Sequence, residues 1–104
     1  MNIKKFVLVT ASHLPQHKYF LDVAKKLANE LGVELEVREE DYEFLSQYGE
    51  KDEFGMAWAP QLFVVLENND VKPILTKLPI DEKTLKIDTA RAYELAKQAL
   101  SSLS

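Results

Sequence analysis

Apolar and polar positions along the chain fall into two periods, near two residues and near about 3.6 residues. Ile3 to Thr10 is β-branched and aromatic with no alternation between faces, which predicts a central strand covered on both sides. Ala11 to Gln16 breaks the pattern, with Pro15 placed to open a helix. From His17 to Leu31, Phe20, Ala24, Leu27, Ala28 and Leu31 recur at helical spacing, widened by Leu21 and Val23, and Gly32 stands where a helix ends cheaply. Val33 to Val37 alternates strictly and predicts a strand near a sheet edge with one buried face. Glu39, Glu40 and Asp41 then place negative charge at a helix start, followed by a weaker stripe of Tyr42, Leu45 and Tyr48, or of Phe44 and Tyr48.

Gln61 to Glu67 holds the unbroken run Leu62–Leu66, a second candidate central strand. Asn68-Asn69-Asp70 has the turn chemistry of a tight hairpin, and Val71 to Lys77 is its partner. Pro73 confines that partner to an edge, because proline cannot donate to a neighbouring strand. A linker around Pro79 leads to a final helix over Ile87 to Leu103, capped by Asp88 or Thr89, with Ala92, Ala96, Ala99, Leu100 and Leu103 as its stripe. The order is β-α-β-α-β-β-α. Strand, helix, strand with short links demands a parallel pair and a right-handed crossover. Two central and two edge strands are satisfied together by a four-stranded mixed sheet in the order 2-1-3-4, flanked by helices. The expected class is a single α/β domain over residues 1–104.

Composition narrows the function more than the fold. A hydrophobic content of 46% and a charged content of 29% are ordinary for a globular domain. The net charge of −4 gives no electrostatic reason to expect nucleic acid or an anionic membrane as partner. Phe6-Val7-Leu8-Val9 is too short for a signal sequence or a membrane span, so a cytoplasmic location is expected. With no cysteine, disulfides, thiolate catalysis and cysteine metal sites are excluded. Nucleotide-binding, zinc-protease, serine-hydrolase and RNA-binding signatures do not occur.

Around the first turn, Thr10-Ala11-Ser12-His13-Leu14-Pro15-Gln16-His17-Lys18-Tyr19-Phe20 resembles the thioredoxin segment T-A-x-W-C-P-x-C-K-x-F, with Pro15, Lys18 and Phe20 in step. Leu14 and His17 stand at the two cysteine positions. Phe54-Gly55-Met56-Ala57-Trp58-Ala59-Pro60 resembles the family's Y-G-V-x-x-x-P stretch, which makes Pro60 the counterpart of its cis-proline. Tyr48-Gly49 reads alternatively as the family's Tyr-Gly, with Glu50 to Ala59 as an inserted loop. The likeness spans nearly the whole chain through order and spacing. It implies a thioredoxin-like fold without dithiol chemistry, and a surface on which the main chain of Ala59 would hold an extended peptide or a glutathione backbone.

Three sets of residues could carry chemistry. Ser12 is a hydroxyl that His13 or His17 could activate, but a cap on the first helix or its opening turn is the favoured role. His13 and His17 are four apart, yet zinc wants four donors and no third is apparent, so solvated loop histidines are expected and no metal or cofactor. Of the aromatic cluster before Pro60, Phe54 and Met56 are expected in the core, whereas Trp58 reads equally as core or as a shelf with Leu14. The expected function is a binding module for a protein or peptide segment, or a small-molecule ligand, at Ser12, His13, Leu14, His17, Trp58, Ala59 and Pro60. The alternatives are a glutathione-type enzyme using Ser12 or His13, and an assembly subunit that dimerises through the Val33–Val37 edge.

Overall fold

The computed structural model describes residues Asn2–Leu103, which form β1 (Ile3–Thr10), α1 (His17–Leu31), β2 (Glu34–Glu39), α2 (Tyr42–Tyr48), β3 (Gln61–Leu66), β4 (Val71–Leu75) and α3 (Thr89–Ser101). The strands make one mixed sheet in the order β2-β1-β3-β4, as the pattern requires. β1 runs parallel to β2 and antiparallel to β3, and β4 pairs antiparallel with β3 alone, which leaves Pro73 on an outer strand.

The absence of alternation in β1 and β3 reflects cover on both faces. Phe6, Leu8, Leu62 and Val64 point to one side, where Phe20, Val23, Ala24 and Leu27 of α1 and Ala92, Tyr93, Ala96 and Leu100 of α3 close the larger core. Val7, Val9, Phe63 and Val65 point to the other, where α2 supplies Leu45. Phe44 adds an edge-on contact to Phe63, with centroids 5.0 Å apart. The α2 stripe is thus the Phe44, Leu45, Tyr48 set, and Tyr42 is 51% exposed.

Local chemistry sets the element ends. Gly32 has φ 65°, and its N–H returns to the Ala28 carbonyl, so the glycine serves as the left-handed cap. Asp41 caps α2 by accepting from the Phe44 N–H, and that bond, followed by the Arg38 guanidinium, holds its carboxyl below the usual range. Asp88, rather than Thr89, caps α3 by accepting from Arg91 N–H. Asn69, at φ 70°, makes the tight turn between β3 and β4.

The edge strand begins one residue later than the alternation predicts and runs on to Glu39: Val33, just before β2, and Leu35 within it lean on the larger core, but Val37 on the same face is 47% exposed. Its other face carries an ion network. Glu36 lies 2.6 Å from Lys5 Nζ, and Arg38 Nε lies 2.5 Å from Glu36 as an ion contact rather than a directed hydrogen bond.

Two residues depart from the expected helical stripes. Tyr93, unforeseen, is buried in α3 beneath the Lys26 ammonium, 4.1 Å from its ring centroid. Leu31 is 46% exposed and lines an open hollow of about 400 Å³ beside Ile3, Leu27 and Leu100. Truncation should separate these environments within one helix. Leu27→Ala is expected to cost about 2–5 kcal/mol. Leu31→Ala should stay within about 0.5 kcal/mol of the parent, both read from denaturant midpoints.

Candidate functional site

The sheet pairing brings the sequence-predicted residues to one end of the molecule. Thr10 pairs with Glu39 and Val9 with Gln61, so the exits of β1 and β2 and the entry of β3 lie side by side. Pro60 and Ala59 therefore continue β3 alongside Thr10 and the turn that follows it.

That turn is two successive backbone reversals. Leu14 N–H donates to Ala11 C=O at 3.0 Å, and His17 N–H to Leu14 C=O at 3.1 Å. α1 begins only at His17, and Gln16 occupies its cap position without a side-chain bond. Ser12 is therefore not the helix cap. Its N–H and its hydroxyl both donate to Glu39 Oε1, at 2.8 and 3.0 Å. His13 precedes the helix and is exposed, so it does not share a helical face with His17. His17 is half-buried, with Nδ1 2.9 Å from the hydroxyl of buried Thr10. Among the described residues, no three His, Asp or Glu side chains gather as a metal cluster.

Glu39 was read only as part of an acidic helix start, yet it locks the turn that carries Leu14. Its carboxyl is held below the usual glutamate range by the Ser12 N–H first and the Ser12 hydroxyl second, with smaller help from His17 and His13.

The second half of the site is the loop before β3. The Ala59–Pro60 bond is cis, Pro60 is buried, and Trp58 and Ala59 are half-buried. Trp58 is neither core nor a free shelf. Its indole N–H donates to Thr76 C=O at 2.8 Å, and Lys77 Nζ lies 5.5 Å from its ring centroid.

Buried Gln61 organises this loop. Its Oε1 accepts from Glu50 N–H at 2.9 Å, and its Nε2 donates to Glu50 C=O at 3.0 Å and Trp58 C=O at 2.9 Å. Gly49 permits the approach: a Cβ there would meet Leu45 O at 2.7 Å and Gln61 Oε1 at 3.2 Å. Thr76 adds a hydroxyl bond to the Glu50 carboxylate. With Trp58 C=O consumed by Gln61, the adjacent Ala59 retains an N–H and a C=O that make no hydrogen bond within the described residues.

Phe54 and Met56 are not core residues, being 81% and 65% exposed. Lys51 and Ala57 pair across a miniature hairpin that projects both side chains outward. Asp52 Oδ1 accepts from Phe54 N–H and Met56 N–H, and Gly55 adopts φ 79°. The spacing Asp52-x-x-Gly55 is a turn signal that reading by hydrophobicity passed over.

None of four surface hollows on the molecule is lined by Leu14, Trp58 or Pro60, so the candidate site is distinct from these cavities. Among the described residues, no helix is long and apolar enough to cross a membrane. The fold and site define a cysteine-free α/β domain with a polar lock and an unpaired main-chain segment at one sheet end. Comparison of the chain with protein-family models, with curated proteins and with solved structures finds no match.

Two substitutions test this construction. Gln61→Leu keeps the volume but strands the Glu50 and Trp58 backbone groups, and should cost about 1–3 kcal/mol with faster amide exchange at Glu50. Glu39 has a folded-state pKa below its unfolded one, so its stabilisation is present above the unfolded value and lost as pH falls through the folded one. The stability difference between the parent and Glu39→Gln should therefore be largest near neutrality. It should vanish as acid denaturation curves are followed well below the ordinary glutamate value of about 4.3.

Proposed function

We infer that this chain is a thioredoxin-like domain without the dithiol, and that it binds an extended peptide segment across Leu14, Trp58, Ala59 and Pro60. One observation carries this reading. Ala59 is half-buried beside the entry of β3, and neither of its main-chain groups has a partner among the described residues, so both are available to an added strand. An extended chain alongside would supply one acceptor and one donor, the mode by which strand addition recognises peptides. The element order, the 2-1-3-4 sheet and the cis bond at Ala59–Pro60 are those the resemblance implies, and they support it.

Chemistry at the helix start agrees with binding rather than turnover. Leu14 has no nucleophile, and His17 is turned inward to Thr10. The glutathione-type alternative is the weaker reading. A thiolate brought to Ser12 would meet the Glu39 carboxylate, which already takes both Ser12 donors.

The test is selection from a random peptide library displayed on phage, followed by NMR titration of the labelled domain with the enriched peptide. The expected outcome is shifts centred on Leu14, Trp58 indole N–H and Ala59 N–H. N-methylation of the peptide residue opposite Ala59 should weaken binding about five- to tenfold, the worth of one lost hydrogen bond. Shifts confined to other faces, or indifference to N-methylation at every peptide position, would refute the reading.

A further inference from the structure

We propose that the Lys51–Ala57 hairpin is a separate docking element: a preorganised apolar knob, Phe54 with Met56, that inserts into an apolar cleft of a partner protein whose rim is basic. This does not rest on peptide binding at Ala59.

Exposure is the first observation. An aromatic ring at 81% and a thioether at 65%, two residues apart, stand with Leu85 at 78% among the most exposed large apolar groups of the described residues. Isolated exposed apolar residues are common, but here the backbone beneath them is fixed. Asp52 N–H donates to Met56 C=O at 2.9 Å and Gly55 N–H to Asp52 C=O at 3.0 Å. The Asp52 carboxylate takes the Phe54 and Met56 N–H groups at 2.9 and 3.0 Å. At the root, Gln61 grips Glu50 and Trp58. Most of the backbone ordering that docking would require is therefore already done, which is how rigid anchors gain affinity.

Charge selects the occupant. Glu50, Asp52 and Glu53 flank the tip in sequence and are exposed, with Lys51 among them and Lys77 at the root beside Trp58, within a chain of net charge −4. An anionic bilayer would repel this rim. Two copies of the hairpin meeting symmetrically would set like charge against like charge. An apolar pocket bordered by lysine or arginine matches both the tip and the rim.

The test uses the full chain carrying the photo-crosslinker p-benzoylphenylalanine in place of Met56, irradiated in its native host, with the cross-linked residues mapped by mass spectrometry. The purified partner is then titrated against the parent and its variants. The expected result is an adduct to one defined apolar cleft with flanking Lys or Arg. Phe54→Ala should weaken binding by about tenfold or more, as for a central anchor. Glu53→Lys should slow association, and added salt should weaken the parent complex. Leu14→Ala, which alters the proposed peptide surface and makes no contact at the hairpin root, should leave this affinity unchanged. Because Phe54 is exposed, Phe54→Ala should also keep the parent's unfolding midpoint. An adduct only to a second copy of this chain overturns the proposal. So does sedimentation with phosphatidylcholine–phosphatidylglycerol vesicles that Phe54→Ala abolishes, or a partner whose affinity ignores Phe54→Ala and Glu53→Lys.

Discussion

The buried amide of Gln61 is the constraint on which the site depends. An amide removed from water at the head of a central strand must find partners, because low dielectric makes an unmet polar group expensive. Here the partners are the main chain at both ends of one loop, Glu50 on the way out and Trp58 on the way back. Gly49 leaves the space that brings the first of them close. One side chain thereby fixes where the loop begins, where it returns and which of its carbonyls are already used. The consequence passes directly to Ala59. Its neighbour's carbonyl is turned inward to Gln61, the next residue is buried Pro60, and its own polar groups are left over.

The fold was legible where periodicity reports burial. Unbroken apolar runs in β1 and β3 mean cover on both faces, and Pro73 and the alternation of β2 mark the edges, which together leave one strand order. Side chains were less legible, because hydrophobicity does not say which way a segment faces. Phe54 and Met56 have core composition, but the Asp52-centred turn reverses the chain beneath them and sends both outward. Leu31 has the right spacing and sits one turn too far along α1. Ser12 failed for a different reason. It has the chemistry of a cap, but its partner Glu39 is 27 residues away and reaches it only through the parallel pairing of β1 with β2. No local reading of residues 11–17 could supply that.

Leu14 and His17 have structural duties at the turn between β1 and α1. His17 satisfies the buried Thr10 hydroxyl, a structural duty that holds the first residue of α1 against β1. Leu14 sits between two backbone reversals whose near end is pinned by Glu39. A helix start built this way presents geometry rather than reactivity. The proposed peptide binding would require only that the apolar side chain and the unpaired main chain be held in place, and the Glu39 lock and the Gln61 clamp fix the two segments that carry them.

That division also bears on specificity. Hydrogen bonds to a single main-chain residue set direction and register, but they are indifferent to sequence and individually modest. Selectivity at Ala59 would have to come from Leu14 and from half-buried Trp58 with Lys77 beside its ring. The hairpin has the complementary character, with large apolar anchors, a signed rim and no spare backbone groups at Phe54 N–H or Met56 N–H. Both elements hang from Gln61. The same buried amide therefore sets the position of both surfaces.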